Sequence, residues 1–436
     1  MKIHFPRSLT LALCCASFVA AQTTDDTQLK QVIVFGRHSV RSALAPNSLL
    51  NTYSAQPFPV FSVPPGYLTT HGATLETLLG GYYRLWLTQE GLLTGKDSAD
   101  APLVYVRANT LERTRASAQA FAAGLLPLAS VNVNYVQQGS DPLFDPVGAG
   151  VAELDSQMAV AAVAGRIGND AQSLASAYAS ELALTRSVLF DYPLSQNATP
   201  ATPPGKVDVT AIPFSVAAGQ PGASVDLGGL LTANFATDPF VFEYADGMPA
   251  SDVGWGQLTS AGISQITRLT TLLFDLEYRT PYLDQVQSSN LASHVVRSMV
   301  QAATGNRMTG SLGTPSTKVI VLIASDVNVT GLAGLFHLDW TLPGYQQNYC
   351  APGGALVFEL RQSQSTGEFI IRASYIAQTF DQLRNQTALT LTAPPASAPL
   401  FIPGCSVSNA TFDCSLATFV QIAKNVIDSN SADTIN

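Results

Sequence analysis

The chain has 436 residues, 22 Lys and Arg against 31 Asp and Glu, a formal charge of −9 and only 12% charged side chains. An acidic surface repels nucleic acid and anionic membrane, so neither is expected as a partner. Neutral Asn, Thr, Ser and Gln supply much of the polar surface instead.

Residues 1–21 carry Lys2 and Arg7, then an apolar run from Leu9 to Ala16, and close on Val19-Ala20-Ala21. That is the pattern of a secretory signal peptide. The run is too short to cross a bilayer, and no later stretch approaches ~20 uninterrupted apolar residues, so a soluble secreted chain is expected. Without Lys2 and Arg7 the chain keeps 20 basic against 31 acidic side chains. Its length predicts two domains, or one domain with a large insertion.

Val32-Ile33-Val34-Phe35 reads as a buried strand and runs directly into Arg37-His38-Ser39-Val40-Arg41. Two guanidiniums beside one imidazole suit a phosphate. The forked arginines match its oxygens and stay charged, while a neutral His nitrogen can attack phosphorus. A solvated basic turn is the plainer reading of these five residues alone. Next come a helical pattern through Leu75, Leu78, Leu79, Tyr82 and Trp86, a strand at Val104-Tyr105-Val106, a helix from Thr110 to Gly124 and an alternating strand from Val131 to Val136. The Ala-rich region 151–190 predicts helices, and the Pro/Thr/Gly/Ala-rich stretch 193–224 predicts loop. Helix resumes from Leu258 to Tyr278, and Val319 to Ala324 reads as a fully buried strand. Ala355 to Leu360 and Phe369 to Tyr375 form a hairpin across Ser365-Thr366-Gly367. The expected organisation is α/β over 22–150 and 300–436, interrupted by a mostly helical domain over 151–299.

Two later segments reinforce the first motif. Glu112-Arg113-Thr114-Arg115 opens the helix after the second strand, where amides and an arginine both favour an anion. Ser325-Asp326 follows the strand ending at Ala324, at the carboxyl end where open α/β sheets hold their ligands. No His/Cys/Asp cluster stands at metal-ligand spacing, so neither metal nor cofactor is expected.

Cys405 and Cys414 enclose the short polar loop Ser406 to Asp413, and a local disulfide fits an oxidising compartment. Cys350 reads as a buried structural thiol, with a catalytic thiol as the alternative. Sequons stand at Asn197, Asn328, Asn385 and Asn409. Asn328 adjoins the candidate site and is expected to stay bare; the other three are the expected glycosylation sites. His71, His294 and His337 read as structural histidines, although His71 or His337 could reach the pocket. Trp86, Trp255 and Trp340 read as packing residues.

The chain resembles the histidine acid phosphatases, in the branch of bacterial periplasmic phytases and glucose-1-phosphatases. Besides the motifs above, the resemblance rests on Gly66-Tyr67-Leu68-Thr69, Phe121-Ala122-Ala123-Gly124-Leu125, Asp141-Pro142-Leu143-Phe144, Gly247-Met248-Pro249, Gly254-Trp255-Gly256, Arg279-Thr280-Pro281, Trp340-Thr341-Leu342-Pro343-Gly344 and Pro352-Gly353-Gly354. It implies a phosphoglycerate mutase-like α/β sheet with helices on both faces, an inserted helical cap domain, and the disulfide Cys405–Cys414. It also implies His38 as nucleophile, Arg37, Arg41 and Arg113 as phosphate ligands, Asp326 as general acid and Arg279 as a substrate contact. The expected substrate is a small phosphorylated molecule; the oligomeric state is open.

The departures are informative. Ser325 stands where the family has a phosphate-binding His, Ser39 where it has Gly, Ala43 where Pro is common, and Asn109 where the bacterial phytases are acidic. Exchanging a charge-assisted hydrogen bond of ~1.5–3 kcal/mol for a neutral one of ~0.5–1.5 at Ser325 predicts turnover slowed roughly 5- to 30-fold. A second reading follows from the same exchange: a repurposed fold that binds an anionic ligand or catalyses a different reaction. After the leader only Lys30, Lys96, Lys206, Lys318 and Lys424 remain, so a weakly charged phosphomonoester suits the chain better than phytate.

Overall fold

The computed structural model describes residues 25–195, 200–220 and 224–433. The leader at 1–21 and the sequon at Asn197 lie outside the described residues. In chain order come β1 (Thr27–Arg37), α1 (Asn47–Leu50), α2 (Thr70–Gln89), α3 (Asp97–Asp100), β2 (Val104–Ala108), α4 (Glu112–Leu125) and β3 (Val133–Asn134). A helical stretch follows with α5 (Ser156–Arg166), α6 (Ala171–Ala177), α7 (Ala179–Phe190), the pair β4 (Phe214–Ala218) and β5 (Val225–Gly228), α8 (Gly229–Ala245) and α9 (Ser260–Tyr278). Then come α10 (Pro281–Thr304), β6 (Val319–Ala324), α11 (Asp326–Leu335), β7 (Ala355–Ser363), β8 (Phe369–Ala377), α12 (Phe380–Arg384), β9 (Ala396–Leu400), β10 (Cys414–Ser415) and α13 (Leu416–Val426).

The main sheet runs β10-β8-β7-β1-β6-β2-β3, with β9 also on β8. β1, β6, β2 and β3 are parallel, whereas β7 pairs antiparallel with both β1 and β8. Successive side chains of a strand point to opposite faces. Val32 and Val34 therefore pack with Leu79, Tyr83 and Phe121 of α2 and α4, while Ile33 and Phe35 pack into the core shared by α8 to α11. The expected α/β sheet covered by helices on both faces is what the chain forms. α2 and α4 approach so closely that Gly80 faces the Phe121 carbonyl and Gly124 the Thr77 carbonyl; a Cβ at either would overlap the opposing backbone.

The structure corrects several boundaries. The stretch 193–224 is not all loop, because Phe214–Ala218 pairs antiparallel with β5 and is covered by α5 and α6. Its Pro- and Gly-rich flanks hid a short strand. The strand expected over Val131 to Val136 shrinks to Val133–Asn134, an edge held only by β2. α2 is rotated relative to the expected face: Leu75, Leu79 and Tyr83 are buried, whereas Leu78, Tyr82 and Trp86 are half-buried. Cys405 and Cys414 are disulfide-bonded, and Cys350 is a buried free thiol that burial pushes up to about 12, as a structural cysteine should be. Among the described residues no helix is long and apolar enough to cross a membrane.

The rotation of α2 buries Glu76, whose two carboxyl oxygens have no hydrogen-bond partner. Burial pushes this carboxyl well above the usual carboxylate range. Below the unfolded value near ~4.3 both states keep the proton, and nothing is lost. As the pH rises further the unfolded chain releases a proton that the folded chain holds, so stability falls by ~1.4 kcal/mol per pH unit until the folded value is passed. Glu76→Gln removes the titration. Its stability advantage over the natural chain is expected to be near zero at pH 4.5 and to widen through pH 6 and 7.5 in urea denaturation; a constant difference would contradict this account. Burial acts in the same direction on Glu277, pushed up to about 7, and on Glu243 and Asp284, each pushed up to about 8.

Candidate active site

Parallel register assembles the site. Arg37 pairs with Ala324 across β1 and β6, and Ala108 with Ile323 across β2 and β6, so three strands end at one edge. The ladders continue one residue further, with the His38 amide donating to the Ala324 carbonyl at 2.9 Å and the Asn109 amide to the Ile323 carbonyl at 3.0 Å. His38 to Arg41, Asn109 to Arg113 and Ser325-Asp326 thereby meet, although 286 positions separate Arg37 from Ile323 in sequence.

His38 is only 2% exposed. Its Nδ1 lies 2.8 Å from the Ser39 carbonyl, which can only accept, so Nδ1 carries the hydrogen and Nε2 keeps its lone pair. Burial first, then Arg37, Arg113 and Arg41, hold the imidazole well below its usual range. It is neutral in mildly acid medium, the state a nucleophile needs.

The three arginines are held differently. Arg37 Nη2 pairs with Asp326 Oδ2 at 2.8 Å, and Nη1 donates to the Cys350 carbonyl at 2.6 Å. Arg41 makes a two-pronged pair with Asp238, both bonds 3.0 Å, and stacks on Phe242 with its guanidinium 4.1 Å from the ring centre. Arg37 lies 5.5 Å from the same ring. Arg113 has no carboxylate partner among the described residues; burial and the neighbouring Arg41 push it down to about 10, still charged at acid pH. The Nε groups of all three are buried without a partner. Unpaired buried donors are costly, and three converging guanidiniums leave them ready for an anion.

Asp326 opens α11, with Oδ1 accepting from the Val327 amide at 3.0 Å. Ser325 caps that helix, its amide donating to Asn328 Oδ1 at 3.2 Å. Asn328 Nδ2 donates to the Phe144 carbonyl at 2.7 Å. Asn385 and Asn409 are exposed. Ser39 donates its amide to Ser117 Oγ at 3.1 Å, while its own hydroxyl is buried without a partner.

Two cavities adjoin the Ser325-Asp326 step. One, of about 450 Å³, is lined by Asn109, Phe144, Tyr278, Gln287, Ser325 and Asn328 among others, and among the described residues no Lys or Arg lines it. The other, of about 20 Å³, lies between Arg37, Asp238, Asp326 and Tyr349. A larger open groove of about 820 Å³ beside Arg268 and Asp381 includes none of the strand-end residues.

The structure brings His38, Arg37, Arg41, Arg113, Ser325 and Asp326 together but not Arg279. That residue lies against Gly334, near the far end of the helix that Asp326 opens. Asp339 holds its Nη2 at 2.7 Å and the Leu338 carbonyl its Nη1 at 2.9 Å, and the residue does not line the cavity. α10 presents Gln287 there instead. Sequence reasoning missed Asp238, Phe242 and Tyr349, none of which lies in a motif. His71 Nε2 donates to the Leu383 carbonyl at 2.7 Å, His294 Nδ1 to the Gly310 carbonyl at 2.5 Å, and His337 is an exposed residue with φ of 52°. None of them lines either cavity beside Asp326.

Comparison with known proteins agrees with this geometry. The family described as the histidine phosphatase superfamily (branch 2) matches residues 28–187. Phytase AppA of Escherichia coli strain K12 is 31% identical over 410 residues, covering 92% of this chain and 93% of that protein. A glucose-1-phosphatase of Salmonella typhimurium is 29% identical over 418 residues, covering 94% and 96%. The Hafnia alvei phytase solved with tartrate superimposes with a TM-score of 0.84 at 31% identity, covering 94% of this chain and 99% of that one. The same enzyme solved with myo-inositol hexakis sulphate gives a TM-score of 0.82 at 30% identity and the same coverage.

Proposed function

Because the chain belongs to the histidine phosphatase superfamily, branch 2, and is a phosphomonoester hydrolase, we propose that its chemistry runs through a phosphohistidine on His38. The observation that carries this reading is the neutral, buried imidazole with a free Nε2 amid three guanidiniums whose Nε donors are unpaired. Nε2 attacks phosphorus and the P–O bond to the alcohol breaks, with the proton on Asp326 passing to the leaving oxygen. Arg37, Arg41 and Arg113 neutralise charge on the equatorial oxygens. Water, giving its proton back to Asp326, then attacks the phosphohistidine, and Nε2 leaves with its lone pair. Ser325 offers a neutral hydroxyl to a phosphate oxygen. Helices α5 to α9 act as a cap, from which Asp238 and Phe242 reach the arginines. Secretion follows from the leader and suits the disulfide and the exposed sequons Asn385 and Asn409.

The substrate is a single phosphate ester of an uncharged alcohol. With Asp326 carrying the proton it donates, the three guanidiniums face the one carboxylate of Asp238, and the adjoining cavity offers amides, hydroxyls, Tyr278 and the Asp145 carboxylate but, among the described residues, no cation. A substrate with many phosphates would find nothing there to balance its further charges. At pH 5, kcat/KM for glucose 1-phosphate or an aryl phosphate is expected to exceed that for phytate by at least about tenfold. Equal or faster phytate hydrolysis would overturn the substrate assignment. Gln287→Arg places a cation on the cavity wall and is expected to raise phytate hydrolysis severalfold while changing the aryl phosphate rate little.

A further inference from the structure

Register puts Glu359 opposite Arg372 across β7 and β8, and Ile376 opposite Ser397 across β8 and β9, so alternate residues of three strands form one face of the sheet beside α2. The helix leaves part of that face open. A cleft of about 350 Å³ lies there, with Tyr82 and Trp86 of α2 among its walls, Glu359, Ser374 and Ser397 of the strands beside them, and Ala410 and Thr411 at its rim. Buried Tyr83 meets the rings of Tyr82 and Trp86 edge-on, with centres 5.9 and 5.7 Å apart, and so fixes both aromatic walls. Their polar tips are free: among the described residues neither the Tyr82 hydroxyl nor the Trp86 indole N–H makes a hydrogen bond, and neither do the hydroxyls of Ser374 and Ser397. Glu359 Oε2 takes Arg361, which leaves Oε1 without a partner among the described residues.

The rim belongs to a sequon. Asn409-Ala410-Thr411 sits in the loop closed by Cys405–Cys414, and its second and third residues themselves line the cleft. Asn409 is exposed, and its Oδ1 accepts from the Asp413 amide at 3.0 Å, which leaves Nδ2, the atom a glycan joins, with no partner among the described residues. We propose, resting on the secretion argued above, that this cleft is a saccharide-binding site and that its occupant is the core of an N-glycan carried by Asn409. The C–H groups of a pyranose carry partial positive charge and lie against the negative face of an indole or phenol, while its hydroxyls donate to a carboxylate and pair with serine hydroxyls. The cleft holds both sets of groups. A tether fills such a weak site, because a short flexible linker supplies an effective concentration of about 10 mM against a dissociation constant of about 1 mM for the free disaccharide.

The test secretes the full chain with its leader from a yeast host and treats the native glycoprotein with an endoglycosidase that cuts between the two core N-acetylglucosamines, each sequon being followed by mass spectrometry. Exposed Asn385 is the internal control. Cutting at Asn409 is expected to be about tenfold slower than at Asn385, and Trp86→Ala should abolish the difference. Should that variant fail to fold, Ser397→Trp blocks the cleft from an exposed edge position and is expected to speed cutting at Asn409 equally. Equal rates in the natural chain, a difference that survives these substitutions, or a bare Asn409 on a secreted chain would overturn the proposal. If the chain is not secreted, the secretion reading falls separately, and calorimetry of the unglycosylated chain with diacetylchitobiose decides the cleft. Half-saturation near about 1 mM, lost in Trp86→Ala while the aryl phosphate kcat is unchanged, supports it; no binding up to about 20 mM refutes it.

Discussion

His38→Ala is expected to lower phosphomonoesterase turnover by at least about a thousandfold, because no other side chain at the three strand ends offers a nucleophilic lone pair aimed among the arginines. The fold should tolerate it. The imidazole is buried, but its single hydrogen bond goes to the carbonyl of the next residue, and its amide bond to Ala324 belongs to the backbone. A loss of about 1–2 kcal/mol in stability covers the hydrogen bond and the small void. Acid-labile phosphate should be trapped on the natural chain after rapid quenching and be absent from the variant. Residual turnover within a few-fold of the natural chain, with the fold intact, would remove His38 from the chemistry.

What was legible in the sequence follows from where each signal resides. Val32 to Phe35 and Val319 to Ala324 announce buried parallel strands by unbroken apolar runs, and the functional residues sit directly after them. A parallel sheet aligns carboxyl ends whatever the loop between them, so local patterns were enough to place His38, Arg113 and Asp326 together. Asp238 and Phe242 were not legible, since both lie on α8, whose sequence records nothing about the strand edge it covers. Tyr349 lies in a segment whose course is set by Trp340 and Tyr345. The surroundings of Arg279 were not legible for the same reason. The resemblance implies a substrate contact there, while in the structure Asp339, 60 residues away, pairs with it and Gln287 on the next helix lines the cavity. Strand ends are encoded locally; the choice among distant charged partners is made only by packing.

Ser325→His is expected to raise turnover by about tenfold or more. A charge-assisted hydrogen bond to phosphate exceeds a neutral one by ~1–2 kcal/mol, and a gain of that size falling on the transition state corresponds to roughly 5- to 30-fold. The structure has room for the ring, because Ser325 faces the 450 Å³ cavity, and its amide bond to Asn328 uses the backbone and survives the exchange. Losing a good helix-capping residue should cost about 0.5–1 kcal/mol, seen as a small drop in melting temperature. The new imidazole would stand near Arg37, whose field opposes its protonation and lowers its pKa below the free value of ~6.5, so the rate gain should grow toward acid pH and already have faded by ~6.5. A gain independent of pH would mean that the ring acts by shape, without its charge. Tighter phosphate binding with no ester turnover at any pH would go further: the arginine cradle would then hold anions without transferring phosphoryl groups, and Asp326 would have no leaving group to protonate.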